Sequence, residues 1–198
     1  MIDYLNGKLT YKDPTYVLLD VGGIGYHVNI SLQTYSKIKD EEQLRLLTFL
    51  HIKEDAHTLY GFKEQHEKRL FLLLISINGV GPNTGLMILS SLSSEEIEHA
   101  ILSGDVATIQ GVKGIGTKTA QRIILELKDK VGKSTPGETS APLGFLQGGN
   151  KIREEALQAL ITLGFPKAVA EKNLALVLKN SGSNLSLEEL IKASLKTP

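Results

Sequence analysis

Asn78-Gly79-Val80-Gly81-Pro82-Asn83-Thr84-Gly85 and Lys113-Gly114-Ile115-Gly116-Thr117-Lys118-Thr119-Ala120 are two versions of one device, with first glycines (Gly79 and Gly114) 35 positions apart. Each copy follows an apolar run of helical spacing, turns at Gly-aliphatic-Gly and leads into another such run. That is the pattern of a helix-hairpin-helix, and its repetition makes it far more specific than a single Gly-x-Gly turn. A tight turn between helices needs backbone angles that glycine adopts cheaply, and the missing side chain lets a phosphate approach. The first amides of the following helix have no acceptor within it, and the helix dipole adds partial positive charge. The product is an anion site that holds a backbone and carries no base code. Gly79, Val80, Gly81 and Asn83 in the first copy, and Gly114, Ile115, Gly116, Thr117, Lys118 and Arg122 in the second, are therefore the candidate DNA-binding residues. Val80 and Ile115 are expected to tuck into the core and fix the turns. Arg122 has an alternative role, pairing with Glu126 at i,i+4.

Around these turns the helices are legible. Leu70, Leu73, Leu74 and Ile77 mark one apolar face before the first turn, and Leu86 to Leu89 follow it. Ser93-x-x-Glu96 is a capping box opening the next helix, Gly104 ends it, and Asp105 caps a short one from Val106 to Gln110. The second turn feeds a longer helix with Ala120, Ile123, Ile124 and Leu127 inward.

Upstream, residues 1–63 change period. Tyr16 to Val21 alternate in polarity, Gly22-Gly23 turns the chain, and Gly25 to Ile30 return. Leu9-Thr10-Tyr11, residues 46–52 and residues 58–62 read as three further strands. Five short strands in so short a segment suggest a small closed sheet of the OB type. Glu54-Asp55-Ala56 lies between the last two strands. It reads either as a solvated turn or as a pair of carboxylates placed to repel phosphates.

Downstream, residues 134–150 are rich in Gly, Ser, Thr and Pro and are expected to be a flexible tether. Residues 151–198 read as a three-helix bundle. Ile152, Ala156, Leu157, Leu160 and Ile161 mark the first helix, ended by Gly164. Val169, Ala170, Leu174, Val177 and Leu178 are expected inward on the second, and Ser186-x-x-Glu189 caps the third. Leu163-Gly164-Phe165 forms a corner that offers an apolar contact, although Phe165 also reads as core.

Composition narrows the classes. The chain has 198 residues and no cysteine, which removes disulfides and thiolate chemistry. No apolar run reaches the roughly 18 residues of a membrane span, and the N-terminus does not resemble a signal peptide, so a cytoplasmic location is expected. The five histidines have no metal-ligand spacing. Gly132-Lys133-Ser134 lacks the earlier glycine of a phosphate-binding loop, that place being Leu127. Neither turn has the third glycine of a dinucleotide fingerprint, Thr84 and Thr119 standing there. No catalytic residue, metal or cofactor is expected. Basic and acidic residues balance at 22 each, so any hold on DNA must come from local geometry or assembled copies.

These strings together resemble the RuvA family, DNA-binding subunits of the bacterial Holliday junction branch migration complex. The resemblance rests on Val21-Gly22-Gly23-Ile24-Gly25-Tyr26, Glu54-Asp55-Ala56-x-x-Leu59-Tyr60-Gly61-Phe62, Asn78-Gly79-Val80-Gly81-Pro82, Gly114-Ile115-Gly116-x-Lys118-Thr119-Ala120 and Leu163-Gly164-Phe165, in order along essentially the whole chain. It implies an α+β multidomain protein: an OB-fold over 1–63, tandem helix-hairpin-helix over 64–133, linker over 134–150 and three-helix domain over 151–198. It implies a homotetramer, sometimes paired as an octamer, that holds an open four-way junction without being an enzyme itself. Glu54 and Asp55 would form an acidic pin at the crossover. Leu160, Leu163 and Phe165 would contact RuvB, a hexameric ATPase, and the RuvC resolvase would share the same DNA. The competing readings are a repair enzyme or other DNA-binding protein built on the same hairpins without junction specificity, and a protein-only adaptor.

The chain departs from the family pattern at Asp3, where glycine is common, and at Asn83 and Thr117, where a basic residue is common. Fewer phosphate-facing cations imply a shallower loss of affinity with salt than in more basic relatives, each neutralised phosphate contributing a log–log slope of roughly 0.9. A salt titration of junction binding checks this, and an equal or steeper slope would contradict it.

Overall fold

The computed structural model describes residues 1–39, 41–131, 148–181 and 185–196. The chain divides into two compact units, Met1–Pro136 and Gly137–Pro198.

In the first unit, alternating strands close into a barrel. The strands are β1 (Tyr4–Lys12), β2 (Tyr16–Val21), β3 (Ile24–Ile30), β4 (Gln43–Ile52) and β5 (His57–Phe62), in the order β1-β2-β3-β5-β4. Neighbours are antiparallel except β3 and β5, whose parallel pairing of Val28–Leu59 to Ile30–Gly61 completes the wall. Inward positions carry Leu5, Val17, Leu19, Val28, Ile30, Leu44, Leu46 and Leu59. Gly61 points into this interior, where a Cβ would stand 2.6 Å from Val28 Cγ1. β1 begins at Tyr4, well before the expected Leu9, because Leu5 supplies a core position and Tyr4 to Lys8 pair with β4. The sequence reading also missed a short helix, α1 (Leu32–Lys37), capped by the Ser31 side chain accepting from the Thr34 amide. It ends at Ile38, which is buried in the barrel core.

Five helices follow in this unit: α2 (Gln65–Ile75), α3 (Pro82–Ser91), α4 (Ser94–Ser103), α5 (Val106–Gln110) and α6 (Thr117–Val131). The expected caps are present. Ser93 and Glu96 make both halves of the capping box, Gly104 ends α4 at φ 78°, and the Asp105 side chain accepts from the Thr108 amide. Leu70, Leu74 and Ile77 are buried as expected, as are Ala120, Ile123, Ile124 and Leu127. Met87 and Leu102 are 44% and 46% exposed, because the inward faces of α3 and α4 are filled by Gly85, Ile88 and Leu89 and by Ile97, Ala100 and Ile101.

Phe71 of α2, also missed, is the hub of this unit. Its ring lies 4.8 Å from Phe62, 5.4 Å from Tyr60 and 5.7 Å from Phe49, centroid to centroid, so the outer wall of β4 and β5 packs directly on α2. Aromatic pairs at such spacing add to the burial of their apolar area. A polar contact supports the seam. Glu67 of α2 is fully buried and accepts hydrogen bonds from the Ser31 and Thr34 hydroxyls, the latter at 2.7 Å. The Thr34 hydroxyl in turn accepts from the Lys63 amide at 3.1 Å. Asp3 stands beside Lys68 of α2 at 3.6 Å, a second tie between barrel and helices.

The second unit is a bundle of α7 (Gly148–Thr162), α8 (Lys167–Ser181) and α9 (Leu187–Leu195) around Ala156, Leu160, Ala170, Leu174, Val177 and Leu190. Gly164 reverses the chain at φ 97°, and Ser186 with Glu189 forms the second capping box. Val169 is 40% exposed and so differs from the expected inward position; Ala170, next along the helix, takes the buried place. Of the expected tether, residues 134–147 lie outside the described residues, and residues 148–150 belong to the first turn of α7. The Gly pair, a poor helix former alone, is carried into that turn by the stronger run behind it.

Burial raises the pKa of Glu67 against the opposing hydrogen bonds from Ser31 and Thr34. A carboxyl whose folded pKa is raised stabilises most when protonated, below its unfolded value, and that contribution is lost as pH rises through the folded pKa. Glu67→Gln, which does not titrate, should therefore gain stability relative to the parent on going from pH 4 to pH 7.5. Urea unfolding of both proteins at the two pH values checks the sign.

Candidate nucleic-acid interface

The two turns repeat each other bond for bond. Val80 N–H donates to the Ile77 carbonyl at 3.0 Å, and Ile115 N–H to the Val112 carbonyl at 3.1 Å. Gly85 N–H then donates to the Gly81 carbonyl at 2.9 Å, and Ala120 N–H to the Gly116 carbonyl at 3.0 Å. Each bond in the second turn lies 35 positions after its counterpart in the first. Val80 and Ile115 are buried, at 4% and 6% exposure, and anchor the turns as expected. Their side chains face the core, so only their backbone is available to a ligand.

The paired glycines divide the work. Gly79 and Gly114 adopt φ 95° and 86°, in the left-handed region that other residues enter at a cost. Gly81 does not, its φ being −83°, and Gly116 is likewise outside the positive-φ set. A Cβ built at Gly81 or Gly116 meets no atom within 4 Å. The fold therefore requires the first glycine of each pair, whereas the second leaves open space outside the helix start. The amides of Asn83 and Thr84, and of Lys118 and Thr119, precede the first helical bonds of α3 and α6 and so have no acceptor within their own helices.

The surrounding side chains are unequal. Thr117 and Lys118 are exposed, and Lys118 makes no hydrogen bond or ion pair among the described residues, so its ammonium is available to an anion. Lys113, exposed beside Gly114, is a further cation that the sequence reading passed over, although it lies within the quoted motif. Arg122 does what was expected of its alternative, with Nε 3.6 Å from Glu126 Oε1, and adds a bond across the repeat: Nη1 donates to the Asn78 carbonyl at 3.2 Å. Asn83 is exposed at the start of α3, and its Oδ1 accepts from the Tyr60 hydroxyl at 2.8 Å. That contact could not be read from spacing.

Glu54 and Asp55 occupy the tip of the β4–β5 hairpin, closed by Lys53 N–H donating to the Ala56 carbonyl at 2.8 Å, and both are exposed. Lys53, Asp55 and Ala56 share an open cleft with Gly81, Pro82 and Asn83. The acidic turn and the first hairpin are thus the two walls of one groove.

In the separate helical unit the three expected contact residues part company. Leu163 is 60% exposed at the α7–α8 corner, Phe165 is half-buried against the bundle, and Leu160 is 1% exposed. Leu160 is a core residue and offers no accessible contact, a correction that follows from its inward place on α7.

Among the described residues no helix is long and apolar enough to cross a membrane. No group of three or more His, Cys, Asp or Glu side chains among them stands where it could hold a metal ion.

Comparison with known proteins agrees with this architecture. Residues 1–61 match the RuvA N terminal domain, residues 71–129 the SAM-like helix-hairpin-helix tandem, and residues 151–197 the RuvA C-terminal domain. The chain belongs to the RuvA family. A protein of Cytophaga hutchinsonii named Holliday junction branch migration complex subunit RuvA is 56% identical over 197 residues, covering 99% of both chains. Proteins of the same name from Amoebophilus asiaticus and Bacteroides thetaiotaomicron are 49% and 41% identical, again over 99% of this chain and 100% and 99% of theirs.

Replacing Gly114 by Ala should cost about 1–2 kcal/mol, the usual cost of a side chain in the left-handed region. Gly116→Ala should cost less, about 0.5–1 kcal/mol, the difference between glycine and alanine at a helix start. Urea unfolding of the two variants measures both.

Proposed function

We propose that this chain binds four-way junction DNA through phosphate contacts and serves as the junction-holding subunit of a branch migration machine. The observation that carries this reading is the cleft that Asp55 of the acidic hairpin tip shares with Gly81, Pro82 and Asn83 of the first turn. Phosphates settle on the open amides that follow Gly81 and Gly116, helped at the second site by Lys118 and Lys113. Strands that approach the tip meet Glu54 and Asp55 and are turned away by like charge. A linear duplex offers no point where backbones must diverge; a junction does.

The wider assembly is proposed on the resemblance to the family. Four copies joined head to tail would place eight hairpin sites on one face, multiplying weak local charge without a basic chain. The separate helical unit would present Leu163 and the edge of Phe165 to RuvB, the ATPase that moves the DNA, and RuvC would act on the same junction. The names of the curated relatives, each a Holliday junction branch migration complex subunit, support the junction and the membership of a complex. The chain's own part in it is to bind and shape DNA, with the chemistry of ATP belonging to the partner.

A gel shift of a four-way junction against linear duplex of equal length tests the reading. The parent should prefer the junction, and Gly116→Asp should abolish binding by putting a carboxylate where a phosphate sits. A Cβ at 116 meets no atom within 4 Å and Asp is a favoured residue at a helix start, so with unfolding curves unchanged that loss reports on DNA rather than on folding. Equal affinity for junction and duplex would refute the proposal.

A further inference from the structure

The tie between Tyr60 and Asn83 has a role beyond packing. Asn83 lies 35 positions before Lys118, so the two hairpins carry different groups at equivalent places. In the second hairpin that group is a cation with no partner among the described residues. In the first it is an amide whose oxygen is already held by a barrel side chain at 2.8 Å. Tyr60 cannot swing away: it is 4% exposed and its ring lies 5.4 Å from that of Phe71. Burial also raises its pKa, which keeps the phenol a donor. Tyr60 belongs to β5, the strand that leaves the acidic tip. Its hydrogen bond therefore runs from the pin-bearing hairpin to the start of α3. Arg122 then continues from the Asn78 carbonyl to α6, at 3.2 Å. Pin, first hairpin and second hairpin are joined by two side-chain bonds in series.

We propose that Tyr60 is a positioning residue whose hydroxyl, through Asn83, fixes the distance between the acidic tip and the first phosphate-binding turn, and that this distance selects a junction over a duplex. This rests on the junction reading above. A duplex engages a hairpin without meeting the tip, so it is insensitive to the spacing. A junction must satisfy both walls of the groove at once.

The test is a double-mutant cycle of Tyr60→Phe and Asn83→Ala, read as binding to a four-way junction and to linear duplex. Tyr60→Phe removes one hydroxyl and keeps the ring, and unfolding curves verify that the fold is retained. It should weaken junction binding about fivefold, the factor one net hydrogen bond is worth, and leave duplex binding unchanged. The double variant should be no weaker than the weaker single variant, as for two residues acting through one bond. An unchanged junction preference, an equal loss on both DNAs, or additive effects would each overturn the proposal. A parent with no junction preference would instead overturn the functional reading on which it rests.

A second readout does not depend on DNA. The chain has no natural cysteine, so spin labels at Ala56→Cys and at Asn78→Cys, exposed in the first turn, report only the distance from the acidic tip to that turn once labelled chain is diluted with unlabelled. The distance distribution should broaden in Tyr60→Phe, and an unchanged distribution would count against the proposal.

Discussion

Phe71 is the constraint on which the larger unit depends. A barrel and a set of helical hairpins have no intrinsic reason to hold one orientation, since each can fill its own interior. Here the outer face of β4 and β5 is not left to solvent. Phe49, Tyr60 and Phe62 converge on one ring from α2, and that ring also packs beside Gly85 of α3, where an added Cβ would come within 3.4 Å. Strand, helix and hairpin thus meet at one side chain with no room to slide. The buried carboxyl of Glu67, held by Ser31 and Thr34, sets the register of the same contact through directional bonds. Apolar packing supplies the bulk of the attraction, and the hydrogen bonds restrict it to one arrangement.

With that seam in place, the proposed function asks a chain of zero formal charge to discriminate among DNA shapes. In that proposal the attraction comes from a few amides and the exposed lysines near the second turn, and the repulsion from two adjacent carboxylates. Neither reaches far through salt water, where charges separated by more than about 8–10 Å are largely screened. Short-range fields of opposite sign are useful only when their separation is fixed. The neutral composition and the stiff seam are therefore parts of one arrangement.

How much of this was legible in the sequence depends on the range of the interaction. Local rules read well: the two turns, the capping boxes at Ser93 and Ser186 and the glycine stop at 104 all rest on contacts within a few residues, and most of the barrel strands show in the alternation of their own side chains. The helix α1 escaped because one short turn of helix has little periodicity to show. Phe71 escaped because Leu70, Leu73, Leu74 and Ile77 already made a complete face, whereas the barrel widened the buried arc to include it. The Tyr60–Asn83 and Arg122–Asn78 bonds join residues 23 and 44 positions apart. No spacing rule predicts them. Leu160 differs in kind: its place on the apolar face of α7 was legible, and that same place buries it and leaves no surface for a partner.

The glycines at 81 and 116 carry one last consequence. A Cβ there would meet no atom within 4 Å, so selection for folding alone sees little at these positions beyond the choice of helix cap. A survey that scores variants by expression or melting temperature would mark them as replaceable by Ser, Asp or Asn, and would mark Gly79 and Gly114 as the important pair. Only an assay with DNA present would reverse the ranking for the outer two.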